Sequence, residues 1–164
     1  MIKKDKIIIY TDGAARGNPG PAGWGIVIIN YELRITNYKI TELGGFSKHA
    51  TNNQMELAAP IEALKYLKKK NMQNSPVEIF SDSKYVILGI TEWIFNWQKN
   101  NWRNAAKKPV LNKELWEELY ELAKQFKIKW TYVEGHMGNK YNERADEIAT
   151  NFADENKIEL KNEK

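Results

Sequence analysis

The sequence predicts an α/β fold, a mixed five-stranded sheet flanked by helices, and three observations carry that expectation. Three β-rich runs stand close together early in the chain, two more runs each follow helical periodicity, and 164 residues at 42% hydrophobic content suffice for one core. Early strands joined by tight turns pair antiparallel and strands separated by helices pair parallel, so the sheet is expected to be mixed. A chain of this length buries about two-thirds of its unfolded surface and needs no metal or disulfide staple.

The first strand is expected over 6–12, where Ile7, Ile8 and Ile9 run into Asp12 and a turn signal. Residues 13–25 hold five of the ten glycines and two prolines, and read as a turn leading into a second strand over 24–30. A third strand over about 33–46 follows, with Gly44-Gly45 suggesting a bend or bulge near its end. From 53 to 70 the period becomes helical, with Leu57, Ile61, Leu64 and Leu67 on one face and Lys68, Lys69 and Lys70 where a C-terminus favours cations. Pro60 lies inside this helix and is expected to kink it, because it removes the bond to the Glu56 carbonyl. A short strand over 77–82 precedes short helical patterns through 83–96. An amphipathic helix over 112–126 follows, striped by Leu115, Trp116, Leu119, Leu122 and Ala123. A fifth strand over 128–133 and a loop over 134–141 lead to a last helix, with Asn142 as its expected N-cap and Ala145, Ile148, Ala149 and Phe152 on one face. The polar tail, 155–164, is expected to fray. No internal repeat or linker is visible.

Composition excludes several chemistries. With no cysteine there is no disulfide scaffold, thiolate zinc site or cysteine nucleophile. The longest apolar runs, 7–10 and 26–29, are far too short for a bilayer, and Lys3, Lys4 and Lys6 lack the apolar stretch of a signal peptide. A soluble, cytoplasmic protein is expected. The net charge of +4 leans mildly toward anionic partners. Its distribution says more: between 93 and 113 there are five basic residues (Lys99, Arg103, Lys107, Lys108, Lys113), no acidic one, and Trp93, Trp97 and Trp102. Indoles among ammonium groups suit a nucleic-acid backbone, by stacking and by phosphate neutralisation.

Two strands end alike, Tyr10-Thr11-Asp12 and Phe80-Ser81-Asp82. Sites in α/β sheets form outside strand ends, so neighbouring strands would set Asp12 beside Asp82. Glu56 and Asp146 fall in expected first helical turns, where capping and the helix dipole explain an acid without any function. Thr51 with Gln54, or Asn53 with Glu56, would serve as the capping pair. Spacing leaves open whether the four acids meet. If they do, they repel and need a cation, and an all-oxygen set favours Mg²⁺ or Mn²⁺ over zinc. Two such ions about 4 Å apart can clamp the attacking water and the leaving oxygen of a phosphodiester.

Taken in order, these residues resemble the type 1 ribonuclease H family. The likeness spans 6–152 and rests on Tyr10-Thr11-Asp12-Gly13 with Gly17-Asn18-Pro19-Gly20, Thr51-Asn52-Asn53-Gln54-Met55-Glu56-Leu57 and Ser81-Asp82-Ser83-Lys84-Tyr85-Val86. It continues in Trp93-Ile94-Phe95-Asn96-Trp97, Gly135-His136-Met137-Gly138 and Asn142-Glu143-Arg144-Ala145-Asp146. The resemblance implies a ribonuclease H-like fold and hydrolysis of the RNA strand of RNA–DNA hybrids, leaving 3′-hydroxyl and 5′-phosphate ends. It further implies one catalytic domain over 1–154 that acts as a monomer, with a basic protrusion at about 97–110. By the same likeness Asp12, Glu56, Asp82 and Asp146 are catalytic metal ligands for two Mg²⁺, and His136 is a loop histidine that shuttles protons or assists product release. Asn18, Asn52 and Glu56 match groups that read the ribose 2′-hydroxyl, which distinguishes RNA from DNA. Thr51 and Asn96 match holders of a DNA phosphate, Trp93 and Trp97 match aromatics lining the DNA groove, and Trp102, Lys99, Lys107 and Lys108 lie in the matched protrusion.

Two features depart from the family pattern. Pro60 stands where many relatives carry alanine, and Gln54 replaces a frequent arginine, so one basic substrate contact is not expected. No hybrid-binding domain is expected before Lys6. Two readings stand as alternatives: a same-fold nuclease of other specificity, or a non-catalytic hybrid-binding module whose acids are only caps. A phospho-aspartate phosphatase is disfavoured by Ala14, where its partner acid would stand.

Overall fold

The computed structural model describes residues 5–32, 37–135 and 138–162. Strands β1 (Lys6–Ala15), β2 (Gly20–Glu32) and β3 (Asn37–Ala50) form an antiparallel meander, and β4 (Val77–Ser81) and β5 (Ile128–Tyr132) add parallel to the β1 side. The order β3-β2-β1-β4-β5 is the expected mixed five-stranded sheet. Both faces of β1 and β2 are covered, which is why the isoleucines there run without alternation. On one face Ile7, Ile9, Ile26 and Ile79 pack with α1 (Asn52–Lys69) and α4 (Lys113–Ala123); on the other Val27, Ile29 and Ile40 pack with α5 (Lys140–Ala153). Each such side chain contributes about 1.5–3 kcal/mol on burial.

Several boundaries differ from expectation. The glycine-rich segment 13–25 is not a long turn: β1 and β2 stay paired to Ala15↔Ala22, leaving 16–19 as the connection. Gly13, Gly23 and Gly25 lie within the paired strands against helix backbone, while Gly17, with a φ of 85°, belongs to the connection. The third strand runs to Ala50, and 33–36 lie outside the described residues. The register shift in β2–β3 falls between Gly20 and Ala22 and not at Gly44-Gly45, which pair regularly with Gly25 and Trp24. Helix α1 runs from Asn52 to Lys69 with the buried Pro60 inside it. Thr51 is its N-cap, in a full capping box with Gln54, so the Asn53–Glu56 alternative falls and Glu56 sits beyond the first turn.

The patterns over 83–96 form one rod to Lys99: α2 (Lys84–Leu88), a π-helical turn (Gly89–Trp93) and α3 (Ile94–Lys99). The irregular turn sits where a Cβ on Gly89 would lie 2.0 Å from the buried Trp116 ring. In α5 the N-cap is Asn139, whose side chain accepts from the N–H groups of Tyr141 and Asn142. Asn142 is therefore buried inside the helix, and Asp146 stands in its second turn, not its first.

The tail does not fray up to Asn162. Ile158 and Leu160 pack on the β3–α5 core, and the Glu42 N–H donates to the Lys161 carbonyl at 2.6 Å. Glu42 in turn accepts from the Lys161 N–H and, through both oxygens, from Arg144. Arg144 also donates to the Glu159 carbonyl. Burial opposes ionisation of Glu42, yet these hydrogen bonds hold its carboxyl below the usual value. Reading composition alone missed the clasp because a polar segment can be fixed through its backbone.

Candidate active site

Asp12 is the centre of the site, and three features of the chain around it bring the other acids in. The parallel ladder of β1 and β4 ends at Thr11↔Ser81, so Asp12 and Asp82 leave the sheet side by side. The next residue, Gly13, lets α1 touch β1: a Cβ there would be 2.4 Å from the Met55 carbonyl carbon and 2.5 Å from the Glu56 nitrogen. That approach carries Glu56 onto Asp12. Across the hairpin Asp12 pairs with Gly25, where a Cβ would be 2.3 Å from the Ala145 carbonyl oxygen, so α5 seats directly on β2 and delivers Asp146.

One carboxylate oxygen from each of Asp12, Glu56 and Asp82 lies within 4.8 Å of the others. Asp146 is not one of this close trio, but it lies near enough to act on the Asp12 carboxyl. Asp12 is 4% exposed, and its Oδ1 accepts from the Gly13 N–H at 2.9 Å. Burial first, then the Asp82 charge and the Asp146 hydrogen bond push the Asp12 carboxyl up to about 8. Burial and the Asp12 and Asp82 charges push Glu56 well above its ordinary value too. Glu56 Oε2 is buried with no hydrogen-bond partner among the described residues. An orphaned buried carboxylate oxygen in a crowded all-oxygen cup is what a hard divalent cation satisfies, so these residues fit a metal.

His136 lies outside the described residues, as does Met137. Its loop begins beside the cup, since a Cβ on Gly135 would stand 3.0 Å from Asp82 Oδ2. Asn18 and Asn52 meet at the rim: the Asn52 N–H donates to Asn18 Oδ1, and Asn52 Oδ1 accepts from the Ala15 N–H. Thr51 is fixed as the α1 cap.

The aromatic and basic residues form a separate, continuous surface. Trp116, fully buried, stacks edge-on with Trp97 at 5.3 Å; Trp97 meets Trp93 at 6.0 Å and Trp102 at 6.1 Å. The array climbs from the core to the exposed Trp93, so these indoles both pack and present a face. A groove here is lined by Trp93, Asn96, Trp97, Asn100, Arg103 and Asn104. Beyond it the 100–112 turn folds back, with Arg103 bridged to Pro109 and the Asn104 side chain accepting from the Ala106 and Lys108 N–H groups. Lys99, Lys107 and Lys108 all stand exposed along it.

Asn112 joins the two regions and was missed by sequence reasoning. It adopts a left-handed φ of 61°, accepts from Gln54 Nε2 and donates to the Tyr85 hydroxyl, which Trp116 Nε1 also reaches. The sequence counts Asn112 as the first residue of the 112–126 helix, whereas it stands just before α4, and its side chain makes no capping hydrogen bond.

A family model described as RNase H matches residues 4–154. The ribonuclease H of Erythrobacter litoralis (strain HTCC2594) is 46% identical over 149 residues, covering 91% of this chain and 96% of that protein. LC9-RNase H1, a type 1 RNase H with the type 2 active-site motif, superposes with a TM-score of 0.84 at 24% identity, over 96% of this chain and 76% of its own, and supports the fold. LC11-RNase H1, solved in complex with RNA/DNA hybrid, superposes with a TM-score of 0.66 at 29% identity, over 91% and 97%. Since the match takes in almost all of the chain and the acids converge as described, this chain belongs to the ribonuclease H family.

Proposed function

We propose that this chain is a metal-dependent endonuclease that hydrolyses the RNA strand of RNA–DNA hybrids. The observation that carries the reading is the cup of Asp12, Glu56 and Asp82 with Asp146 beside it, in a chain whose relatives are ribonucleases H. Those four carboxylates would hold two divalent ions, Mg²⁺ by preference and Mn²⁺ as a substitute. Ions held there would supply the positive charge that the attacking and leaving oxygens of a phosphodiester need.

The chain's own residues do the rest. Asn18 and Asn52, linked at the rim, read the 2′-hydroxyl beside the scissile bond. Thr51 and Asn96 hold a phosphate of the DNA strand, while Trp93, Trp97 and Trp102 line its path and Lys99, Lys107 and Lys108 neutralise its backbone. By the family likeness His136 shuttles protons or assists product release. Water adds its hydroxyl to phosphorus, the P–O3′ bond breaks, and the proton ends on the 3′-oxygen, leaving 3′-hydroxyl and 5′-phosphate ends. No helix among the described residues is long and apolar enough to cross a membrane. The enzyme works as a cytoplasmic monomer, its catalytic domain spanning 1–154 with the protrusion over about 97–110.

Incubating the protein with strand-labelled hybrid, duplex RNA and duplex DNA, with and without Mg²⁺, tests this directly. Only the RNA strand of the hybrid should be cut, and only with the metal. Asp82→Asn should abolish cutting and spare binding. Near-normal turnover by that variant, or cutting of duplex DNA, would overturn the assignment.

A further inference from the structure

The connection between β1 and β2 is made of Arg16, Gly17, Asn18 and Pro19, all exposed, so no buried side chain fixes its position. Polar links do so from two sides. Toward α1, Asn18 and Asn52 are joined as described. Toward α5, the Arg16 guanidinium grips the Asp154 carboxylate with two parallel hydrogen bonds, Nε to Oδ1 at 2.6 Å and Nη2 to Oδ2 at 2.8 Å. Asp154 caps the C-terminus of α5, the helix that carries Asp146 two turns earlier, about 12 Å away along the axis. Helix α5 needs no help from this pair: Gly23 and Gly25 admit the Ala149 and Ala145 carbonyls against β2. The bidentate pair therefore adds orientation to the turn.

These links close a ring of structure: Asp146, α5, Asp154, Arg16, Asn18, Asn52, and α1 with Glu56. We propose that Arg16 and Asp154 are a positioning pair that fixes the 16–19 turn relative to α5, so that Asn18 meets the ribose 2′-hydroxyl at a set distance from the catalytic carboxylates. The pair thus serves selectivity for the RNA strand through substrate binding. This rests on the 2′-hydroxyl reading of Asn18 given above.

The test compares KM, kcat and urea unfolding for the intact protein, Asp154→Ala, Asp154→Glu, Asn18→Ala and the double variant Asn18→Ala/Asp154→Ala, on hybrid with Mg²⁺. Asp154→Ala should raise KM about two- to fivefold with kcat unchanged, while urea unfolding shifts by no more than the small amount an exposed pair contributes. Asp154→Glu should restore KM. The double variant should bind no worse than Asn18→Ala alone, because both act through one turn. An unchanged KM in Asp154→Ala while Asn18→Ala raises it overturns the pair's role and leaves the 2′-hydroxyl reading intact. A lowered KM overturns it as well, since freed Arg16 would then be a phosphate contact. If Asn18→Ala moves neither KM nor RNA selectivity, the reading of the turn fails and the proposal falls with it.

Discussion

Replacing Asp12 by asparagine should stabilise the metal-free protein, by an amount that grows with pH. The folded protein holds the Asp12 carboxyl at about 8, against 3.8 for an unperturbed aspartate. Between those values the folded state keeps a proton that the unfolded chain releases, so stability is full below pH 3.8 and drains away as pH rises to about 8. At 1.36 kcal/mol per pH unit the whole interval is worth about 5–6 kcal/mol as a ceiling. Glu56 is raised by the same burial and by the same neighbours, so part of that ceiling belongs to it. Asparagine keeps the shape and can still accept the Gly13 N–H, but never ionises. Its advantage should be near zero around pH 4 and about 2–5 kcal/mol around pH 8.

Urea unfolding of Asp12→Asn and the parent protein in chelator, near pH 4 and near pH 8, reads this directly. Repeating the pH 8 pair with excess Mg²⁺ should erase the difference, because the parent gains binding energy that the variant has lost. A variant less stable than the parent at pH 8 in chelator would refute the reasoning. So would an equal gain at both pH values, since that effect could not come from an ionising carboxyl.

Three other outcomes follow from the packing and the surface. Gly25→Ala would drive a Cβ to 2.3 Å from the Ala145 carbonyl oxygen, and should cost about 1–3 kcal/mol in urea and lower kcat by displacing Asp146. Arg144→Ala would leave the buried Glu42 carboxylate without its main partner, and should cost about 3–5 kcal/mol by the same measurement. Replacing Lys99, Lys107 and Lys108 together by alanine should raise KM with little change in kcat, and should flatten the salt dependence of binding by about two to three phosphate contacts' worth of slope.

The strands and the long helices were legible because their signals are local. Ile7, Ile9, Ile26 and Ile29 announce strands buried on both faces, and Leu57, Ile61, Leu64 and Leu67 mark the inner face of α1. Ends were harder. Asn139 and Asn142 are both good caps three residues apart, and only the burial of Asn142 inside α5 decides between them. The Glu42–Arg144 clasp joins residues 102 apart, and periodicity cannot report such a pairing.

The acids pose a subtler case. Each taken alone had an adequate local explanation as a cap or a strand end, and for Glu56 and Asp146 the structure removes that explanation, since neither stands in a first turn. What gathers them is backbone approach at two residues flanking Asp12: Gly13 next along the strand and Gly25 across from it. In the sequence those glycines sit among others and read as turn formers, because the absence of a Cβ gives conformational freedom and close approach alike. Neither Gly13 nor Gly25 has a positive φ, so approach is the use made of them here. A glycine next to a strand aspartate, with a second glycine opposite it in the hairpin, is thus a packing signal for two helices arriving at one carboxylate, and it becomes readable only once the β1–β2 register is known.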